Sequence, residues 1–257
     1  MWACVLVYVV VSYVAAIRYV PVRSAGAIIR SILREMWCAM WTQPLMPFFQ
    51  VLLGVRLGSG GGAVPVVLVH GYFQNRVDFL YLASRLRKAG SGPLFAVNFF
   101  WPQALERSSE TVERFVDWVR EETGAEQVDL LTHSTGGLLG LDLLERRPGL
   151  VRRAAMIALP GKGVPWRGPL VGRSGKQLRM GSFYRADREP RIRSVPVLSI
   201  YSVHDNVVHP ATTSVLDDEH AFNVAVDGPG HLSVLFDRSI ADRVTDFLLP
   251  EELPLEH

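Results

Sequence analysis

Three residues far apart in the chain have the types needed for nucleophilic acyl chemistry: Ser134, Asp205 and His231. A serine hydroxyl is a poor nucleophile until a nearby base takes its proton, and the base works best when an acid orients it. Ser134 lies in Thr132-His133-Ser134-Thr135-Gly136, which follows an apolar run and precedes a helical pattern. That is the strand-to-helix turn on which a serine is presented with its hydroxyl exposed. An ordinary serine helix cap is the simpler reading of the same five residues. Asp205 and His231 each come just after an apolar run, in VHDNVV and GPGHL, so all three side chains fall beyond the same sheet edge. Asp227 is the alternative acid. Asp217, Asp218 and His220 read as a solvated turn, and His133, His204 and His209 as neighbours without a role in proton transfer.

A developing oxyanion needs donors aimed at it. The backbone N–H of Thr135, next after the serine, is one. The second is expected from Tyr72, in the turn His70-Gly71-Tyr72 that closes the first apolar run. For His70-Gly71 alone, a plain strand-ending turn explains the residues equally well.

These positions require a framework. Apolar runs at 64–69, 94–99, 127–132, 151–158, 195–201 and 221–226 alternate with helical patterns at 77–89, 108–122, 136–146 and 233–248. Near-continuous apolar strands alternating with helices predict an α/β fold, a mostly parallel sheet of about six strands with helices on both faces. The hydrolase domain is expected over 64–257, behind a Gly-rich joint at 58–63.

Composition narrows the function. A net charge of +2 on 257 residues gives no basis for nucleic-acid binding. Both cysteines, Cys4 and Cys38, precede the domain, so neither a thiol nucleophile nor a cysteine zinc site is expected there. No metal cluster, phosphate loop or dinucleotide fingerprint appears, and no cofactor is expected.

Residues 1–57 form a hydrophobic N-terminal segment. Residues 1–17 are uncharged and apolar, and four arginines (Arg18, Arg23, Arg30, Arg34) follow. This predicts a membrane anchor that leaves the enzyme on the cytoplasmic side, with a cleaved leader or a buried helix as alternatives. From Ser24, apolar pairs from Ile28 to Trp41 recur every four residues, with Arg30, Arg34 and Glu35 between them. Such an amphipathic helix either packs on the main domain or lies in a membrane interface. Residues 160–193 are expected to cross the site as a cap or lid. They carry nine basic residues (Lys162, Arg167, Arg173, Lys176, Arg179, Arg185, Arg188, Arg191, Arg193), which suit either a solvated loop or anionic headgroups.

With VVLVHGYFQN (66–75), LLTHSTGG (130–137), VPVLSIYSVHDNVV (195–208) and GPGHLSVL (228–235) in this order, the chain resembles bacterial lipases and esterases of the α/β-hydrolase fold over about 65–249. The resemblance implies a Ser134–His231–Asp205 triad, an oxyanion hole from Tyr72 and Thr135, and a lipid or other acyl ester as substrate. Two features depart from the pattern. Thr132 stands where the elbow usually has its first glycine, and ALPGKG (158–163) replaces a Gly-Thr-Pro-His-like segment. A thioesterase, phospholipase or acyltransferase would use the same three residues. A non-catalytic, membrane-tethered interaction module is the other class, and an intact triad weighs against it.

Overall fold

The computed structural model describes residues 2–21, 24–45, 48, 54–165, 171–182, 192 and 194–249. Seven strands make one sheet: β1 (Arg56–Gly58), β2 (Val66–Val69), β3 (Leu94–Ala96), β4 (Val128–His133), β5 (Val151–Ile157), β6 (Val197–Ser202) and β7 (Ala221–Val226). Their spatial order is β1-β3-β2-β4-β5-β6-β7. Only β1 runs antiparallel to its neighbour; every other pair is parallel. The six apolar runs are the six parallel strands. β1 is the addition, three residues at the sheet edge and too short to show any periodicity.

The parallel strands read as unbroken apolar runs because both sheet faces are covered. Along β2, Val67 and Val69 enter one apolar cluster while Val66 and Leu68 enter the other. The first cluster is closed by α4 (Leu105–Thr123) and α5 (Thr135–Arg146). The second is closed by α3 (Leu80–Lys88) and α7 (Arg238–Leu248). In α4, Val112, Val116 and Val119 are buried at helical spacing. In α7, Ile240, Val244 and Leu248 do the same. Each such side chain contributes roughly 1.5–3 kcal/mol on leaving water. The glycine-rich stretch after β1 is packed rather than a free joint. A Cβ on Gly60 would run into the carbonyl of Ser91, and Gly62 N–H donates to that carbonyl at 3.2 Å.

Before the sheet come α1 (Trp2–Ala16) and α2 (Ala25–Leu45), packed against each other and against the loops after β6 and β7. The membrane anchor expected here is not borne out. No helix among the described residues is long and apolar enough to cross a membrane. The apolar helix ends after 15 residues, short of the ~20 that a bilayer core requires.

The faces of this hairpin are the reverse of the sheet's. In α2 the buried row is Ser31, Glu35, Cys38, Ala39 and Thr42, while Ile29, Leu33, Trp37, Met40 and Trp41 are exposed. In α1, Val9, Ser12 and Ala16 face inward, and Leu6, Val7, Val10, Val11 and Val14 face outward. Polar groups dock the hairpin: Asn206 Nδ2 donates to Ser12 Oγ at 2.7 Å, and Ser31 Oγ donates to the Gly228 carbonyl at 2.7 Å. Arg34 pairs with Asp237, the residue that caps α7, at 2.8 Å.

Candidate active site

Ser134 sits between β4 and α5 with φ of 52° and ψ of −124°, in the left-handed region that a serine seldom occupies. Strain of this kind is held by its surroundings. Ser134 N–H donates to the Ile157 carbonyl of β5 at 2.9 Å, and Gly137 N–H to the Ser134 carbonyl at 2.8 Å. Gly136 lets α5 start directly against the end of β2, since a Cβ there would meet the Val69 carbonyl. Thr132 fits for a related reason. A Cβ on Gly140 would lie 3.2 Å from the Thr132 methyl, and one on Gly137 would lie 3.4 Å from its hydroxyl. The space usually left by a glycine on the strand is provided by glycines on the helix.

His231 Nε2 lies 3.0 Å from Ser134 Oγ, and His231 Nδ1 lies 2.9 Å from Asp205 Oδ2. The three side chains thus form one hydrogen-bonded series across the carboxyl ends of β4, β6 and β7. Asp205 is buried, and its other oxygen accepts the N–H groups of Val207 and Val208, both at 2.7 Å. Burial acts to lower the His231 pKa. The Asp205 carboxylate, helped by Glu35, outweighs this and holds it above the ordinary imidazole value. Asp227, the alternative acid, lies 2.7 Å from His204 Nδ1 and is largely exposed. His220 lies 3.2 Å from Asp218, away from this series.

His133 is fully buried, and burial pushes its pKa well below the usual range. Its Nδ1 lies 2.7 Å from Gln74 Oε1 and its Nε2 lies 3.0 Å from the His231 carbonyl. It therefore ties the elbow to the backbone of the catalytic-type histidine. Gln74 Oε1 also accepts the Gly71 N–H at 2.8 Å. His70 is buried and pushed down to about 4, first by burial. It stacks on Phe99 at 4.0 Å and accepts the Phe99 N–H at 3.3 Å.

These bonds fix the loop expected to carry the second oxyanion donor. Gly71 packs on the serine: a Cβ there would lie 2.8 Å from Ser134 Cβ. Tyr72 and Phe73 both meet Trp101 edge-on, at 4.9 and 4.7 Å. The Tyr72 hydroxyl donates to the Val171 carbonyl and accepts the Val171 N–H, each at 2.9 Å.

Part of the expected cap is described. ALPGKG is pinned to the 211–214 turn, with Lys162 N–H donating to Thr213 Oγ1 at 3.0 Å and Ser214 Oγ donating to the Leu159 carbonyl at 2.7 Å. The short helix α6 (Gly172–Gln177) docks on the turn before α4, where Arg173 N–H donates to the Pro102 carbonyl at 2.9 Å. Arg167, Arg185, Arg188, Arg191 and Arg193 lie outside the described residues.

Sequence reasoning gave no role to Gln74, Asn206 or Glu35. Asn206 accepts the His231 N–H at 2.8 Å, and Glu35 accepts the next two N–H groups. The signal for Glu35 was present. It is the single acid of the α2 stretch, spaced four residues from Ser31 and seven from Thr42.

No group of three or more His, Cys, Asp or Glu residues among the described residues is arranged to hold a metal ion. The arrangement can do one thing well, the transfer of a proton from Ser134 to His231.

A family model of the α/β-hydrolase fold matches residues 64–170. Among solved structures, lipase B of Aspergillus fumigatus superposes with a TM-score of 0.62 at 19% identity, over 73% of this chain and 52% of that one. The chain thus spans about half the length of that lipase. Paleococcus ferrophilus monoacylglycerol lipase gives a TM-score of 0.59 at 18% identity, over 75% and 96%. A bacterial membrane phospholipase A gives 0.55 at 15% identity, over 87% and 94%. The last match covers more of this chain than residues 64–257 could supply. The chain has the α/β-hydrolase fold, as its sequence resemblance implied.

Proposed function

From this fold and the hydrogen-bonded series it carries, we propose that the chain is a serine hydrolase that cleaves lipid acyl esters. The observation that carries the reading is the pair of contacts at 3.0 and 2.9 Å linking Ser134, His231 and Asp205. Ser134 Oγ attacks the ester carbonyl while His231 Nε2 takes its proton. The N–H groups of Tyr72 and Thr135 hold the oxyanion, and His231 returns the proton to the leaving alcohol. Water then enters through the same histidine to release the acid and free Ser134. Asp205 keeps the imidazole in the tautomer that leaves Nε2 open to accept.

A lipid substrate is supported by the aromatic rim of Tyr72, Phe73 and Trp101 beside the serine and by the apolar outer face of the hairpin. We read that face as resting on the surface of a bilayer without crossing it, with Trp37 and Trp41 at headgroup depth and Arg18 and Arg30 toward the phosphates. The similar structures are named as a lipase, a monoacylglycerol lipase and a phospholipase A, which act on the same class of substrate.

The test is turnover of p-nitrophenyl esters of graded acyl length and of phospholipid vesicles by the full chain, beside Ser134→Ala. Turnover that rises with acyl length and disappears in Ser134→Ala supports the reading. Turnover that survives the substitution means another nucleophile, and no turnover of any ester or phospholipid removes the proposal.

A further inference from the structure

One buried charged group lies next to the proposed site without taking part in the mechanism. Glu35, in the middle of α2, is fully enclosed. Its Oε1 accepts the Leu232 N–H at 2.6 Å and its Oε2 accepts the Ser233 N–H at 2.9 Å. Those are the two amides that follow His231. They open the 3₁₀ turn Ser233–Phe236, so a side chain 197 residues earlier caps the turn that presents the histidine. Burial raises the Glu35 pKa and the bonds to Leu232 and Ser233 oppose that rise, while both carboxylate oxygens act as acceptors, the bonding pattern of an ionised group. A buried charge that lost these partners would be strongly disfavoured, so the two amides and the carboxylate fix each other's positions.

The neighbourhood is built around that carboxylate. A Cβ on Gly230 would lie 2.6 Å from Glu35 Oε2, 2.5 Å from Tyr13 Oη and 2.7 Å from Asn206 Oδ1. Three polar groups, from α1, α2 and the loop after β6, therefore converge on the residue before His231, which only glycine can occupy. Asn206 connects two of the three elements, accepting the His231 N–H and donating to Ser12 Oγ of α1.

We propose that Glu35 is a positioning residue for His231: through the two amides beyond the histidine it fixes the imidazole between Ser134 and Asp205, and it adds a second negative charge to the field in which His231 titrates. This rests on the hydrolase reading given above. The hairpin is then a structural half of the active site. The titratable groups around the imidazole are Asp205 on the loop after β6, His133 on β4, His209 beyond the acid loop, and Glu35 on α2.

The test uses the full chain, with the His231 imidazole titration followed by NMR beside ester kinetics. In Glu35→Gln the His231 pKa falls and kcat drops by about 10- to 100-fold, the scale of a small misplacement of reacting groups. KM changes by less than about threefold, since the ester-binding wall is untouched. Ser31→Ala removes a neutral bond to the same loop and leaves the titration where it is. An unmoved titration in Glu35→Gln overturns the proposal, because Glu35 is then only packing. A moved titration with wild-type kcat overturns it too, because the charge is then felt without the ring being held. If Glu35→Gln does not fold, Glu35→Asp keeps the charge and withdraws it by one methylene. Lower kcat with a smaller change in the titration then supports the proposal, and wild-type values of both overturn it. Absence of any ester turnover by the wild type would defeat the hydrolase reading, and the titration alone would then decide the role of Glu35.

Discussion

The sheet and the N-terminal hairpin are both built from apolar sequence, and they bury opposite things. In the sheet, Val66 to Val69 send their side chains into two apolar clusters, and the polar groups left over gather at the strand ends. In the hairpin, Ser12, Ser31 and Glu35 point inward to backbone groups of the histidine loop and to Asn206, and the valines and tryptophans point outward. The difference lies in what each piece docks against. A sheet face meets helices that are themselves apolar, whereas the hairpin meets two loops whose backbone amides and carbonyls lie outside the sheet ladder. Loops of that kind are matched by hydrogen bonds rather than by area.

Several experiments would break or sharpen this contrast. The largest effect is expected within the sheet-borne site: Asp205→Asn should lower kcat by about 10⁴-fold, because the asparagine favours the wrong imidazole tautomer. Steady-state ester kinetics read this directly, and a loss below tenfold would mean that Asp205 does not orient His231. Deletion of residues 2–45 should come next. It leaves Ser134, Asp205 and His231 in place yet should cost about 100-fold or more in turnover, as the histidine loop loses its amide partners. Full activity in that deletion would make the hairpin an independent appendage.

The outer face is tested by Trp37→Ser with Trp41→Ser. Sedimentation with anionic phospholipid vesicles should weaken by about tenfold, at ~25 cal/mol per Å² of apolar surface, while turnover of water-soluble esters stays unchanged. Equal loss of both would mean that the tryptophans support the fold instead. The smallest effect belongs to Asp78, buried where α2 passes the 3₁₀ turn Arg76–Phe79, with its pKa pushed up to about 7 by burial. A folded value above the unfolded one means no penalty well below the ordinary carboxylate range, at about pH 2, where both states are protonated, and a penalty that grows as pH rises and levels off above 7. Asp78→Asn should therefore raise Tm at pH 8, by about 2–4 °C for each kcal/mol recovered, and raise it progressively less as pH falls toward about 2.

The same contrast explains what was legible beforehand. The parallel strands were readable because each is an unbroken apolar run with turn residues at both ends. Ser134, Asp205 and His231 stood out because strand order alone places them on one edge. β1 was not readable, since Arg56–Gly58 is too short to carry a pattern. The direction of α2 was not readable either. A period of 3.6 shows that two faces differ, and it leaves open which of them meets the protein. Length without context misled in the same way for α1, where an apolar run just short of a membrane span turned out to be a short helix docked through Ser12. Thr132 departs from the elbow motif, and what accommodates it, Gly137 and Gly140, sits one element later.

The bond between Glu35 and the amides of Leu232 and Ser233 also sets an order of events during synthesis. Glu35 leaves the ribosome 197 residues before its first partner. At about 5–20 residues per second, the hairpin waits on the order of 10–40 s with its polar row unmatched and its apolar row already in water. Ser134 and its strand are made within that interval, so a nascent chain carries the serine before anything holds its histidine. Proton transfer from that serine therefore waits until the histidine loop has been made, and α1 and α2, although synthesised before the sheet, are locked in place only then.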